Sequence, residues 1–534
     1  MQSMKWLARM RTPIVSAVVV AVAAVGLSAC GSSASSASTT APTSHTLTLS
    51  FLQDPGQPPD PAVYYAGQGL ILQNNIYDGL LQYAPNTDQR KIIPDLATSW
   101  TVSPNLQTYT FQLRQGVVFH DGTPFNSAAV APSFARDAAV NGGPAYMAEA
   151  VASVQTPDPY TVVVNLTQPN SAFLDYLAAA YGPRMMSPTG LAAHAGSDND
   201  QTYLQTHDLG SGPYTLTQAK VGVSYQVKSF PQYWGPKPYY STVNFPVIDN
   251  FNTEQLEFNN GQIAAVLHDL TNQAIKSYQA SSSVKVYTLP TLQSEYLYVN
   301  PNAGFLTTAA NRKTLLKAVN LKQILADVYP GLGTIGTQIY PKNVVPAGMA
   351  TQDNTYDPSA LKTLVASLPA SQRSFTIGYD TSSPSDQLIA SILTDSLDQA
   401  GLTVKSVGYQ TGTIYGWSPP GTVPADAPDL LVEFIWPDAY DAYQWADIGW
   451  GPTGGVNIFH CTVPNITDQL NQAVATDNTA LFGQVGDAAA ATGCWQNMVN
   501  RSDVFVAQPW LKGLPQGHVV AYPYTVSLAA LYPG

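Results

Sequence analysis

Charge is scarce in this chain. Asp, Glu, Lys and Arg together supply 11% of the 534 residues, against about 25% in an ordinary soluble domain. Lys and Arg number 23 against 35 Asp and Glu, a formal net charge of -12, which excludes the basic surface that nucleic acid requires. Solubility must lean on Ser, Thr, Asn, Gln and Tyr. The acidic balance fits a cationic or zwitterionic ligand, and it fits equally a secreted protein that binds nothing cationic. Cysteine is scarcer still, with three residues, Cys30, Cys461 and Cys494, and no C-x-x-C spacing for thiol redox chemistry or zinc. The seven histidines (45, 120, 194, 207, 268, 460 and 518) show no H-E-x-x-H or other paired-ligand spacing, so no metal or other cofactor is expected. Ser211 lacks the G-x-S-x-G surroundings of a hydrolase nucleophile. A Ser-His-Asp triad assembled in space stays open, since triads need no local motif.

Long apolar runs are also missing. The longest near the start, Ile14 to Leu27, would span roughly 21 Å as a helix, short of a ~30 Å bilayer core. Preceded by Lys5, Arg9 and Arg11, it reads as a signal peptide over 1–29. It ends in Leu27-Ser28-Ala29-Cys30, which resembles a bacterial lipobox and implies cleavage before Cys30 and lipidation there. The alternative is an ordinary small-residue cleavage site with an incidental cysteine. The Ser-, Ala- and Thr-rich segment that follows, 30–45, suits a flexible tether. About 490 residues then remain, enough for about three domains, and 45% apolar content is enough to pack them.

The stretch from Asn74 to Arg136 carries the most information. Tyr109, Phe111 and Leu113 fall on one face of a strand, with Thr108, Thr110, Gln112 and Arg114 on the other, the alternation of a half-buried antiparallel strand. Asn86-Thr87 and Ser103-Pro104-Asn105 are turn chemistry, and His120-Asp121-Gly122-Thr123-Pro124 forces a tight turn with Asn126 or Ser127 able to cap a helix after it. The order Tyr77-Asp78-Gly79-Leu80, Pro94-Asp95-Leu96-Ala97, Trp100, Tyr109-Thr110-Phe111, Leu113-Arg114, Gly116-Val117 and Phe119 to Phe125 resembles the family 5 extracellular solute-binding proteins, the dipeptide, oligopeptide and nickel binders of ABC importers. Two departures stand out. Ala128 and Ala129 replace the family's acidic residues, and Pro132 falls where a helix is expected, so that helix should kink or start late.

Further along, Gly210-Ser211-Gly212-Pro213-Tyr214 and Tyr233-Trp234-Gly235-Pro236 resemble family turns, and Tyr296-Leu297-Tyr298-Val299-Asn300 resembles its crossover strand. The G-x-G-x-x-G of Gly331 to Gly336 follows a helix and leads into no helix, so it is a loop and not a dinucleotide site. Ser374–Tyr379 and Thr403–Tyr409 read as strands around an amphipathic helix bearing Leu388, Ile389, Ile392, Leu393 and Leu397, a β-α-β unit. Leu430–Trp436 reads as a further strand, and the tail, with Pro509-Trp510 and Val519 to Tyr522, resembles the family's return strand to the first lobe. Cys461 and Cys494 lie outside the membrane, where disulfides persist, and are expected to bridge.

The resemblance implies an α/β, periplasmic-binding-protein-like fold of type II. Two lobes with mixed sheets are joined by crossover strands. Lobe I is expected at 45–75, 213–296 and 508–534, a subdomain inserted in it at 76–212, and lobe II at 297–507. It also implies a monomer that captures a peptide between its lobes for an ABC permease and ATPase, held at the membrane by its lipid anchor, and that catalyses nothing. In peptide-binding relatives an aspartate shortly after a Gly-Trp pair grips the ligand's amino group; here that position falls on Asp438, with Trp436, Phe434, Tyr440, Tyr296 and Tyr298 as its expected companions. The Gly-Trp pair itself is missing, so an oligosaccharide or nickel-chelate ligand remains open, with Trp436 and Trp445 as possible sugar platforms. So do an extracellular hydrolase and a sensor or chaperone lipoprotein on the same scaffold.

Overall fold

Two strands of unusual length tie the molecule together. In the computed structural model, which describes residues 44–534, Lys285–Val299 and Trp495–Ala507 run antiparallel beside each other for 15 and 13 residues. Leu289 and Phe505 pack in one hydrophobic cluster, while Leu297, Val299, Met498 and Val499 pack in another. Between Pro290 and Ser294 the pairing slips register, so the crossover is interrupted where it passes from one core to the other. Pro290, which has no N–H to donate, sits at the break.

On one side of this crossover lies a four-stranded sheet. Thr46–Thr48 pairs parallel with Thr242–Pro246, and Ser224–Ser229 and Tyr214–Lys220 extend it antiparallel. On the other side is a mixed sheet of seven strands in which the crossover pair is joined by Leu430–Ile435, Ser374–Asp380 and Thr403–Tyr409 in that order. Ala265–Val266 and Gly333–Ile335 complete this sheet, which therefore reaches back to residue 265 in the chain. The Gly331–Gly336 stretch supplies that short edge strand and opens no helix.

The β-α-β reading holds for Ser374–Asp380, helix Pro384–Gln399 and Thr403–Tyr409, with the two strands parallel. Ile389, Leu393 and Leu397 form the buried stripe at four-residue spacing. Leu388 is 41% exposed, because it sits one residue, about 100° of helix rotation, off that stripe.

A third sheet, Ala97–Val102, Thr108–Leu113, Thr161–Leu166 and Val151–Asp158, is wholly antiparallel. Tyr109, Phe111 and Leu113 all face its core, and Phe173 stacks edge-on against Tyr109 at 4.9 Å. Asn126 does cap the turn that follows, its side chain accepting from Ala128 N. The next helix starts only at Val130, so Pro132 lies in its first turn, where an N–H has no intrahelical partner to lose. His120 is structural: its ring bonds Asp208 and, through Nε2, Gly212 O at 2.9 Å.

One expectation fails. Val519 to Tyr522 forms no strand; the return strand is Trp495–Ala507. The tail carries Pro509, Pro515, Pro523 and Pro533, which limit the donors it can bring to a ladder; beyond the short antiparallel pair Leu511–Lys512 with Tyr532–Pro533 and the helix Leu514–Gly517 it runs in turns, with an isolated bridge from His518 to Val526. Cys461 and Cys494 are joined by a disulfide, Cα to Cα 6.4 Å, that ties a loop to the start of the second long strand. Among the described residues no helix is long and apolar enough to cross a membrane. The segments 1–29 and 30–43, with Cys30, lie outside the described residues.

Candidate ligand-binding cleft

A cavity of about 840 Å³ opens beside the crossover strands. One wall comes from the segment Leu52 to Gln68 with Tyr181; the opposite wall comes from the carboxyl ends of Ser374–Asp380 and Leu430–Ile435 and the residues just beyond. The strand order explains that position. From Ser374–Asp380 the chain passes through a helix to a strand on one side, and the later strand Leu430–Ile435 lies on the other. Such a reversal leaves a crevice at the carboxyl ends of the two strands, where α/β sheets hold ligands.

Asp438 stands at this crevice. Leu430–Ile435 ends, Pro437 breaks the ladder, and Asp441 caps the next helix, Ala442–Trp450, by accepting from Tyr443 N and Gln444 N. Asp438 is thereby held between a strand end and a helix start. Its Oδ2 accepts from the Tyr65 hydroxyl, from the Tyr146 hydroxyl at 2.8 Å and from Gln444 Nε2 at 3.3 Å. Its Oδ1 accepts nothing from the described residues, and Asp438 lines the cavity. Burial pushes the carboxyl up to about 6, against the pull of the two tyrosine hydroxyls. It is therefore mostly ionised at neutral pH.

Phe434 and Trp436 line the same wall. The Trp436 indole donates to Tyr181 Oη at 3.3 Å and packs edge-on to Tyr524 at 6.0 Å between ring centres. The backbone at Gly67 passes so close that an added Cβ would lie 3.3 Å from Tyr524 and 3.5 Å from Trp436. Phe434 carries the Arg501 guanidinium over its face at 4.6 Å.

The other three expected companions lie elsewhere. Tyr296 donates to Ile339 O at 2.6 Å and packs against Trp445; Tyr298 is buried beside it; Tyr440 donates to Asp88 O at 2.9 Å. All three belong to the core beneath the cleft. Trp445 and Trp450 are core residues too, so of the tryptophans in this aromatic segment only Trp436 reaches the cavity.

Several residues of the site carried no sequence signal. Tyr65, which lines the cavity, and Tyr146, which bonds Asp438 from beside it, are two tyrosines among the 30 in the chain. Arg501 lies in the polar stretch Asn500-Arg501-Ser502-Asp503, whose composition does not mark it as a cavity residue. It bonds Asp269 Oδ1 at 2.8 Å and approaches Glu295 Oε1 at 3.3 Å. Tyr524 closes that network by donating to Asp269 Oδ2 at 3.0 Å. His268, also at the cavity, is held by both Glu254 oxygens at 2.8 and 2.9 Å. Among the described residues no group of three or more His, Cys, Asp or Glu is disposed to hold a metal ion.

Residues 91–455 match the family model described as bacterial extracellular solute-binding proteins, family 5 Middle. The chain belongs to this family. Its role is binding, not catalysis. The probable D,D-dipeptide-binding periplasmic protein DdpA of Escherichia coli (strain K12) is 28% identical over 366 residues, covering 67% of this chain and 69% of that protein. The dipeptide-binding protein of the same organism is 28% identical over 311 residues, 54% of this chain and 57% of its own length. Among solved structures, the ABC transporter-associated periplasmic binding protein DppA from Helicobacter pylori, in complex with peptide STSA, has a TM-score of 0.76 at 21% identity and covers 91% of this chain and 98% of that one. NikA from Brucella suis, in complex with Fe(III)-EDTA, has a TM-score of 0.78 at 21% identity, with 92% and 100% covered. At that identity the likeness establishes the fold, that of the type II periplasmic binding proteins.

Proposed function

We propose that this family 5 member captures peptides for an ABC importer, binding the ligand's free amino group at Asp438. The observation that carries the reading is the division of labour at that carboxylate. Oδ2 takes all three protein donors, while Oδ1 takes none from the described residues and belongs to a cavity-lining side chain. A fixed, desolvated carboxylate with one spare oxygen suits an ammonium group, since charge-assisted hydrogen bonds are about twice as strong as neutral ones. Phe434, Trp436 and Tyr524 give an apolar wall for the rest of the ligand, and the interrupted crossover strands give a hinge about which the lobes close. Relatives named for dipeptides support the same class. The sugar reading has less support, because Trp445 is not a cavity residue.

We further propose that the protein is a monomer anchored through a lipidated Cys30 on the extracytoplasmic face, with 30–45 as the flexible tether between anchor and folded lobes, and that it serves an ABC permease and ATPase. Replacing Cys30 by Ala should release the protein or leave it unprocessed; a variant that stays membrane-bound and normally cleaved contradicts the anchor. Native mass spectrometry of the purified protein tests the ligand class. Bound masses that fragment as peptides are expected, whereas a co-purified sugar or metal chelate would overturn the peptide reading.

A further inference from the structure

The second wall of the cavity holds a group of carboxyls that the amine site does not use. Asp380 ends the strand Ser374–Asp380, and Glu433 sits beside it in Leu430–Ile435; both line the cavity. They are 0% and 2% exposed. Each has one oxygen occupied and one idle. Asp380 Oδ1 accepts from Ser382 N at 2.6 Å and Glu433 Oε1 from the Tyr415 hydroxyl at 3.2 Å, whereas Asp380 Oδ2 and Glu433 Oε2 are buried without a partner among the described residues. Behind them Glu295 and Asp386 are buried as well, and each also has an unpartnered oxygen. The nearby cation, Arg501, acts on Glu295 and Asp386 and is already engaged with Asp269 and Glu295.

A buried carboxylate without a countercharge costs several kcal/mol. Such a group either takes up a proton or pairs with a cation; Arg501 is already engaged, so a further cation can come only from the cavity. Its lining includes Asp54, Asp269, Asp380, Glu433 and Asp438 against the single guanidinium of Arg501. Asp54 and Asp269 are satisfied by protein donors, which leaves Asp380 and Glu433, besides Asp438, with an oxygen to offer.

Resting on the peptide reading above, we infer that Asp380 and Glu433 form a second subsite, which receives a cationic side chain of the ligand, so that the protein selects basic peptides. A guanidinium fits best. It is planar, always charged and carries five donors, enough for two carboxylates at once. The pair stands at the same strand-end crevice as Asp438, one carboxyl on each of the two diverging strands. A ligand bound by its amine at Asp438 then runs along Phe434 toward it.

The empty subsite should hold protons. Burial and the Asp380 charge push Glu433 well above the usual carboxylate range, and burial with the charges of Glu295 and Glu433 does the same for Asp386. The groups facing the pair from neighbouring elements are Tyr298, Tyr415, Glu295 and Asp386, with Tyr329 and Arg501 beyond them against Glu295 and Asp386. A cation entering among them displaces protons, so binding of a basic peptide should release protons and tighten as pH rises.

The test is calorimetric titration of Ala-Arg-Ala against Ala-citrulline-Ala, which has the same shape without the charge, each with a free and an acetylated amino terminus. At pH 7.5 the wild type should prefer the arginine peptide by at least about tenfold, with more protons released than for citrulline. In Asp380→Asn/Glu433→Gln that preference should shrink to within about threefold, less than ~1 kcal/mol. Equal wild-type affinity for the two free-amine peptides overturns the cationic subsite, and this comparison needs no variant. If acetylation still abolishes binding in that case, the amine site stands alone. If acetylation changes nothing while arginine is still preferred, the amine reading fails and the subsite stands.

Discussion

Tyr65 and Asp438, 373 residues apart in the chain, are joined by a hydrogen bond across the cleft. The tyrosine hydroxyl donates to the same oxygen that Tyr146 and Gln444 use, so the opposite wall helps to keep Asp438 ionised. Tyr65→Phe removes one donor and should raise the Asp438 carboxyl further above its value of about 6. A hydrogen bond to a charged group is worth about 1.5–3 kcal/mol. Affinity for a free-amine peptide should therefore fall at pH 6 by about tenfold and by less at pH 8, where the carboxyl is ionised in either protein. Titration at the two pH values checks this, and an equal loss at both contradicts it.

The unliganded protein should grow more stable as pH falls from 8 to 5. Burial raises Asp137 to about 7, outweighing the nearby charge of Arg136, and burial together with Asp175 raises Asp441 to about 7. A carboxyl raised in the folded state binds protons there that the unfolded chain does not bind. The stability it lends is complete below about pH 4 and is lost as pH rises through the folded value. His120 and His268 act with the same sign: burial opposes their charge, but Asp208 and Glu254 hold them above the ordinary imidazole range. Scanning calorimetry of ligand-free protein should show the midpoint rising on acidification. A midpoint that falls steadily from pH 8 to 5 contradicts this account.

Replacing both Cys461 and Cys494 by Ala opens a loop with a sequence separation of 33. Loop-closure entropy sets the loss at roughly 3–4 kcal/mol. Neither cysteine lines the cavity, so peptide affinity at 20 °C should stay within about threefold, or ~0.7 kcal/mol, of wild type. Urea unfolding and peptide titration of the same variant measure both quantities.

Much of the fold was legible because its cues are local. Turn residues, the alternation of Tyr109, Phe111 and Leu113, the Asn126 cap and the β-α-β unit each depend on neighbours a few positions away. The tail misled because Val519 to Tyr522 is strand-like in composition, while the prolines that deny it a ladder lie outside that short window. Asp438, Trp436 and Phe434 were legible as one segment at the end of a strand. Tyr296 and Tyr298 were not separable from true cavity residues, since facing the cleft or the core depends on which side of a central strand is covered. Tyr65, Tyr146 and Asp380 come together only through the packing of distant segments, which no spacing encodes.

The central claim is that a ligand ammonium binds Asp438. Calorimetric titration of one peptide, free and amino-terminally acetylated, against wild type and Asp438→Asn tests it most directly. Asparagine keeps the shape and removes the charge, and losing one partner of a buried charge pair costs about 2–5 kcal/mol. The free peptide should lose about one to three orders of magnitude in affinity, the acetylated peptide should bind wild type poorly and lose little more in the variant, and both proteins should unfold at similar temperatures. Asp438→Asn binding the free peptide as tightly as wild type does would contradict the claim.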